Sequence, residues 1–331
     1  MKKRFIKLCA ILFILIFGVT GCGQASQTKD KKKPNVIKIG YVPSAGILQV
    51  LPIVAKEKGW FDEEFKGSNT KIEFTEFKSG PVLMEAFASK NIDIGHIGDQ
   101  PIFSSRANGV DVKAIALHSQ GDKNYGLVVT EKSGIKKVED LKGKKVAVTL
   151  GSIGQRIFNL YLEKYGLNQK DVEVINVPPA DIKNTLQTNN VDAAIIWQPW
   201  IGAIEKEKIG RQVADTKGLK VNVNITIATA DFINKYPEDT KKLLKVYLKT
   251  EKWVNENKKE AAKIVAKVMK MDENIVFEAM KKEQYVVKIS PEAIDSMEDT
   301  SKFLEKIGVI REPVPAKDCV ELKFLKELGV Q

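Results

Sequence analysis

Asn91–Pro101 reads NIDIGHIGDQP, and the fold follows from what this stretch can do. Ile92, Ile94 and Ile97 alternate with small or polar residues, which predicts a short strand ending at Gly98. Asp99 then stands where a helix N-cap belongs, with Gln100 and Pro101 in the first turn and the helix running to about Gly109. A strand that stops at glycine and turns at once into a helix aims several unpaired backbone N–H groups at one point. Such a point carries partial positive charge and attracts anions.

The same design recurs. VDAAIIWQP at 191–199 again places an acid before an apolar strand and opens a helix with Gln-Pro. Lys78-Ser79-Gly80-Pro81 ends a strand and starts a helix, with Ser79 or Gly80 as cap and Pro81 at the first helical position. Gly151-Ser152-Ile153 follows the strand KVAVT and opens the helix QRIFNLYLEKY. Each alone is an ordinary capped helix. Set on two facing lobes, the starts at Ser79, Asp99 and Gly151 would grip one anion from both sides, and binding would favour closure.

Strands and helices alternate from Val36 to about Ala230, the pattern of a mostly parallel sheet with helices on both faces. Beyond Pro237 only helical periodicity remains, the last helix expected over Lys317–Leu328. The two echoing units lie about 100 residues apart, which fits two similar lobes better than one long sheet.

The chain starts with a different signal. Lys2, Lys3, Arg4 and Lys7 precede an apolar run from Leu8 to Val19, short of the ~20 residues a spanning helix needs. It reads as a signal peptide over 1–21. Val19-Thr20-Gly21-Cys22 resembles the lipobox of bacterial lipoproteins, which implies cleavage before Cys22 and acylation of that residue. Residues 22–35 are polar and lysine-rich and form a tether.

The 331-residue chain carries 53 Lys and Arg against 42 Asp and Glu, a net +11, of which four positive charges leave with the signal. The lysines are spread along helices without interleaved aromatics, so no nucleic-acid partner is expected. Of the three cysteines, Cys9 belongs to the signal, Cys22 to the lipid site, and Cys319 lies in an apolar pattern and is expected to be buried. No metal-ligand spacing, nucleophile elbow or P-loop occurs, and no cofactor is expected.

Over Val36–Tyr236 the chain resembles the solute-binding proteins of ABC importers for aliphatic sulfonates, taurine and nitrate. The matching stretches include IGYVPSAGILQV, EFKSGPVLMEAFASKNIDIGHIGDQPI, GSIGQRIFNLYLEKYGL and VPPADIKNTLQTNNVDAAIIWQPW. GPVLMEAF, GDQP and VPPAD lie nearest to the alkanesulfonate binders. The resemblance implies an α/β, type II periplasmic-binding-protein fold. Lobe one would span 36–122 and 226–331, lobe two 123–225, with a hinge near Tyr125–Thr130 and Asn222–Thr229 and the C-terminal helices packed on lobe one.

It further implies a monomer on the outer face of the cytoplasmic membrane. That monomer would hold a small anionic solute in the interlobe cleft and hand it to the transmembrane permease subunits coupled to an ATPase. Carried onto this sequence, the ligand site comprises Ser44, Gly46 and Ile47, then Ser79, Gly80 and Pro81. Asp99 and Gln100, Gly151, Ser152 and Ile153, and Trp197 with Gln198 complete it. Trp197 offers a flat wall to an alkyl tail, or else is a core residue at a strand end. Asp99 is a structural N-cap, or else a partner for an ammonium such as taurine's. Arg156 either reaches the ligand or faces solvent or the opposite lobe.

A plain organosulfonate is the expected solute, with taurine, nitrate and a thiamine pyrimidine precursor as alternatives. Pyrimidine synthases of thiamine biosynthesis resemble this chain at fold level and are the competing enzyme class. They depend on a cysteine-rich stretch that is missing here, and His96 and His118 have no acid or cysteine at catalytic spacing. A binding protein and not an enzyme is therefore expected.

Overall fold

The computed structural model describes residues 34–330; the signal peptide, Cys22 and all but the end of the tether lie outside the described residues. Two five-stranded sheets organise the chain. The first takes β1 (Val36–Tyr41), β2 (Lys71–Glu76), β3 (Ile94–Gly98), β4 (Val112–Gly121) and β10 (Asn222–Thr229) in the order β2-β1-β3-β10-β4. The second takes β5 (Tyr125–Thr130), β6 (Lys145–Val148), β7 (Glu173–Asn176), β8 (Ala193–Trp197) and β9 (Gly210–Asp215) in the order β7-β6-β8-β5-β9.

The two orders are one topology. β3 and β8 are the middle strands, parallel to β1 and β6 respectively and each antiparallel to a strand arriving from the other lobe. The acids that echo in sequence do the same work: Asp93 Oδ2 accepts the Lys38 N–H at 2.9 Å, and Asp192 Oδ2 accepts the Lys145 N–H at 2.9 Å. Middle strands are covered on both faces, which is why Ala193–Trp197 is buried throughout and reads as an unbroken apolar run.

Each sheet is mixed where a mostly parallel one was expected, because β10 and β5 re-enter antiparallel to both neighbours. The crossings themselves are short, 122–124 and 216–221. Tyr125–Thr130 and Asn222–Thr229 are the sheet strands they lead into. Two elements escape the sequence pattern, the polar edge strand β9 and the helix Trp60–Glu64. The final helix divides into Ala316–Cys319 and Lys323–Glu327, since Val320 leaves the helix to bridge Ala114 on β4.

Long helices Pro237–Glu256, Lys258–Met269, Glu273–Met280 and Pro291–Lys306 lie with the first sheet and its helices. Tyr247 shows how: it reaches the buried His96, its hydroxyl 2.8 Å from Nε2. His96 also bonds the Gly40 carbonyl through Nδ1 at 3.1 Å and stacks edge-on with His118. Burial pulls the His96 pKa down to about 4, so this pair is neutral core. Cys319 is fully buried, which pushes its thiol up to about 11. Among the described residues no helix is long and apolar enough to cross a membrane.

Candidate ligand site

Between the two sheets lies a cavity of about 50 Å³, and the residues around it come from both lobes. The first lobe gives the loop and 3-10 helix after β1 (Val42, Ala45, Leu48, Gln49), the start of helix Gly80–Ala88, the end of β3, and Pro101. The second gives Tyr125 on β5, Thr149, Ser152 and Ile153 at the start of helix Ile153–Lys164, Pro179, and Trp197 at the end of β8. Asn224 on β10 closes the floor between them. The walls are mostly apolar, and no Asp, Glu, Lys or Arg is among the lining residues.

Most polar groups here are already engaged. Gln49 accepts the Val42 N–H and donates to the His96 carbonyl, both at 2.8 Å. Ser152 donates to the Thr149 carbonyl and accepts the Gly154 N–H. The Thr149 hydroxyl donates to the Val177 carbonyl. Ser79, by contrast, caps the Gly80–Ala88 helix by position with no side-chain cap bond, although it is buried. Tyr125 stacks its ring 5.5 Å from that of Trp197, and burial raises its phenol far above the ordinary value, so it is a neutral hydroxyl. Ser79, Tyr125 and two helix starts thus offer donors without a formal positive charge, a set suited to an anion of delocalised charge.

The other expected residues serve the interface between the lobes. Ser44 turns its carbonyl to the indole N–H of both Trp197 (3.2 Å) and Trp200 (2.7 Å). Gly46 has φ +58°, and a Cβ there would come within 2.6 Å of Pro199. Ile47 is core. Pro81 and Gly151 meet outside the cavity, beside a shallow groove. The Gly151 N–H is held by Gln155 Oε1 at 2.8 Å, and the same oxygen accepts a hydrogen bond from Gln100 Nε2 at 3.2 Å. Gln198 opens on a separate interlobe groove with Lys206 and Glu278.

Asp99 is a correction. It stands at the cap position of helix Gln100–Ala107 but has helical φ/ψ and makes no side-chain cap bond. Its Oδ2 accepts the Thr300 hydroxyl at 2.6 Å and pairs with Lys220 Nζ at 3.3 Å. A fully buried carboxylate is better met by an ammonium and a hydroxyl than by one amide. Arg156 does not reach the cavity: its guanidinium lies 4.0 Å from the Phe303 ring across the lobe boundary, and burial lowers its pKa. Sequence reasoning missed Tyr125, Asn224, Thr149 and Pro179. Pro179 lies in the VPPAD stretch and opens a helix, Tyr125 and Asn224 lie in the expected hinge segments, and Thr149 follows β6, but none of these marks a residue as facing the cleft.

A cavity between two lobes of shared topology defines a two-lobed periplasmic-binding-protein architecture. Residues 30–270 match the model of the NMT1-like family, and the chain belongs to that family. A Bacillus subtilis (strain 168) protein that carries the name of an aliphatic sulfonates-binding protein is 31% identical over 331 residues, 99% of this chain and 97% of that one. The alkanesulfonate-binding protein SsuA from Xanthomonas axonopodis pv. citri, bound to MOPS, superposes with a TM-score of 0.80 at 23% identity, covering 88% of this chain and 99% of that one. The periplasmic aliphatic sulphonate binding protein SsuA from Escherichia coli gives a TM-score of 0.74 at 24% identity, over 87% and 92% of the two chains.

Proposed function

We propose that this protein is the extracytoplasmic solute-binding component of an ABC importer, and that it captures a small organosulfonate with a short, uncharged tail. The observation that carries the reading is the cavity itself: about 50 Å³, apolar-walled, with neutral donors and no ionised side chain. The three oxygens of a sulfonate share one charge, which the N-terminal dipoles of Gly80–Ala88 and Ile153–Lys164 and the hydroxyls of Ser79 and Tyr125 can meet together.

Size sets the tail. A water-sized group needs about 10–15 Å³ by this measure, so the cavity has room for about four such groups, a headgroup with a very short tail. MOPS, the ligand of the Xanthomonas protein, is much larger. Taurine would bring an ammonium to a lining with no carboxylate, since Asp99 is turned to Lys220 and Thr300. Nitrate would leave Val42, Leu48, Ile153 and Trp197 facing nothing apolar.

On this reading Cys22 carries the lipid that holds the protein at the outer face of the membrane, residues 22–35 are the tether, and the protein acts as a monomer beside its permease. The ligand raises stability without being turned over. The test is a thermal-shift screen of methanesulfonate, ethanesulfonate, taurine, nitrate and thiamine pyrimidines. At ~100 times its dissociation constant the right ligand adds roughly 2.7 kcal/mol. A shift with a pyrimidine and none with a sulfonate would replace the reading.

A further inference from the structure

Behind the lining residue Asn224 sits a buried carboxylate that does not itself line the cavity. Glu283 lies in the stretch after helix Glu273–Met280, which is pinned to β4 where Gln120 and Gln284 exchange backbone hydrogen bonds at 2.9 and 2.8 Å. That sets Glu283 against the first crossing between the lobes and the start of β10. Its Oε2 accepts from Asn124 Nδ2, on the first crossing, and Asn222, at the start of β10, donates to Asn124 Oδ1 at 3.3 Å. Its Oε1 faces Asn224 Nδ2 at 3.4 Å, and that same Nδ2 donates to Ser119 Oγ at 3.0 Å.

The consequence falls on Asn224, a lining residue. With its NH2 drawn back to Glu283 and Ser119, its carbonyl oxygen is left on the side of Gly98, with which it lines the cavity. A carbonyl is the wrong end of an amide for an anion. A protonated Glu283 reverses the demand: its O–H becomes a donor, the Asn224 carbonyl can turn to accept it, and the NH2 faces the cavity. The ionised form adds a second penalty, a buried negative charge one residue behind the anion.

We propose that Glu283 is a positioning residue whose protonation decides which end of the Asn224 amide faces the cavity, so that anion binding is coupled to proton uptake at Glu283. The surroundings allow this within the ordinary range of pH. Burial raises the Glu283 pKa to about 8, against the lowering effect of its bonds to Ser119, Asn124 and Asn224. The titratable groups facing it are Tyr125 from β5 and Tyr285 from its own segment, both buried and both raised by burial and by Glu283 itself. Lys282 beside it and Lys123 beside Asn124 are exposed, Asp122 is half-buried, and none of the three contributes to its shift. The coupling to an anion rests on the sulfonate reading; the turning of Asn224 does not.

The test has two arms on the full mature chain. NMR of the unliganded protein follows the Glu283 carboxyl carbon and the Asn224 side-chain NH2 from about pH 6 to about pH 10. Calorimetry with ethanesulfonate compares the Kd near pH 7 and near pH 9.5 for wild type and Glu283→Gln. The proposal expects the Asn224 signal to move with the Glu283 titration. It expects the wild-type Kd to weaken about thirtyfold at the higher pH, with about one proton taken up, and no such change in Glu283→Gln. An Asn224 signal that is flat through the Glu283 titration overturns it, and so does the same pH dependence in both proteins. A responsive Asn224 with no binding of ethanesulfonate supports the positioning role and counts against the sulfonate reading alone.

Discussion

Lys220 Nζ stands 3.3 Å from Asp99 Oδ2, with the lysine side chain 5% exposed and the carboxylate not exposed at all. The pair joins the second crossing between the lobes to the start of helix Gln100–Ala107, and the helix Pro291–Lys306 completes it through Thr300 and Ser296. Burial lowers the Lys220 pKa, while Asp99 holds it up in part.

Removing one member leaves the other buried and unpaired. Lys220→Met is expected to cost about 3–5 kcal/mol in urea unfolding, and the double change Asp99→Asn with Lys220→Met to recover most of that. Simple additivity of the two losses would contradict the pairing.

Glu283 gives a pH test that needs no ligand. The folded chain holds its proton up to about pH 8, whereas an unfolded chain releases it near the ordinary glutamate value of 4.5. Between those values the folded state binds more protons, so its stability falls as pH rises through the window and levels off above it. Glu283→Gln removes this dependence. The variant is expected to match wild type near pH 4.5 and to be the more stable above pH 8, with a ceiling on the order of 5 kcal/mol. Equal stability at every pH would contradict the buried, neutral carboxyl.

Gly151 and Arg156 separate contact across the lobes from ion pairing with the ligand. A Cβ on Gly151, whose φ is +75°, would come within 3.0 Å of Pro81 Cγ on the other lobe. Gly151→Val is expected to hold the lobes apart and weaken ethanesulfonate binding tenfold or more, at about 1.4 kcal/mol per tenfold, in a protein that still folds. Arg156→Ala loses the stacking on Phe303 and the attraction to Asp99, Glu163 and Asp299, none of which lines the cavity, and is expected to change affinity by less than about threefold. Calorimetry on both variants checks the order, and the reverse order would mean that a side-chain charge captures the anion.

Ile153 tests the size limit. It is buried, lines the cavity, and approaches Gly98 across it. Ile153→Ala is expected to lower stability by about 2–4 kcal/mol and to admit longer tails, raising affinity for butanesulfonate relative to ethanesulfonate. An unchanged ratio in competition calorimetry would show that tail length is set elsewhere.

What the sequence makes legible here is local. The strand-to-helix turns at Ser79, Asp99 and Ser152, and the echo between residues 92–101 and 191–199, are patterns within a few residues, and the echo marks the two middle strands. β9 is hidden because an edge strand needs little apolar burial, so GRQVAD carries no alternation. Asp99 looked like a cap because its partners, Lys220 and Thr300, are over 100 residues away. Glu283 carries no mark at all: its meaning depends on Asn124 and Asn224, which only the crossing of two lobes brings to it.

The most direct test of the central claim is calorimetric titration of the mature protein with ethanesulfonate near pH 7, run beside MOPS and taurine. A neutral cavity of about 50 Å³ predicts one site per chain, saturable by ethanesulfonate, with MOPS and taurine at least tenfold weaker. Saturable binding of MOPS or taurine with no heat from ethanesulfonate would contradict it.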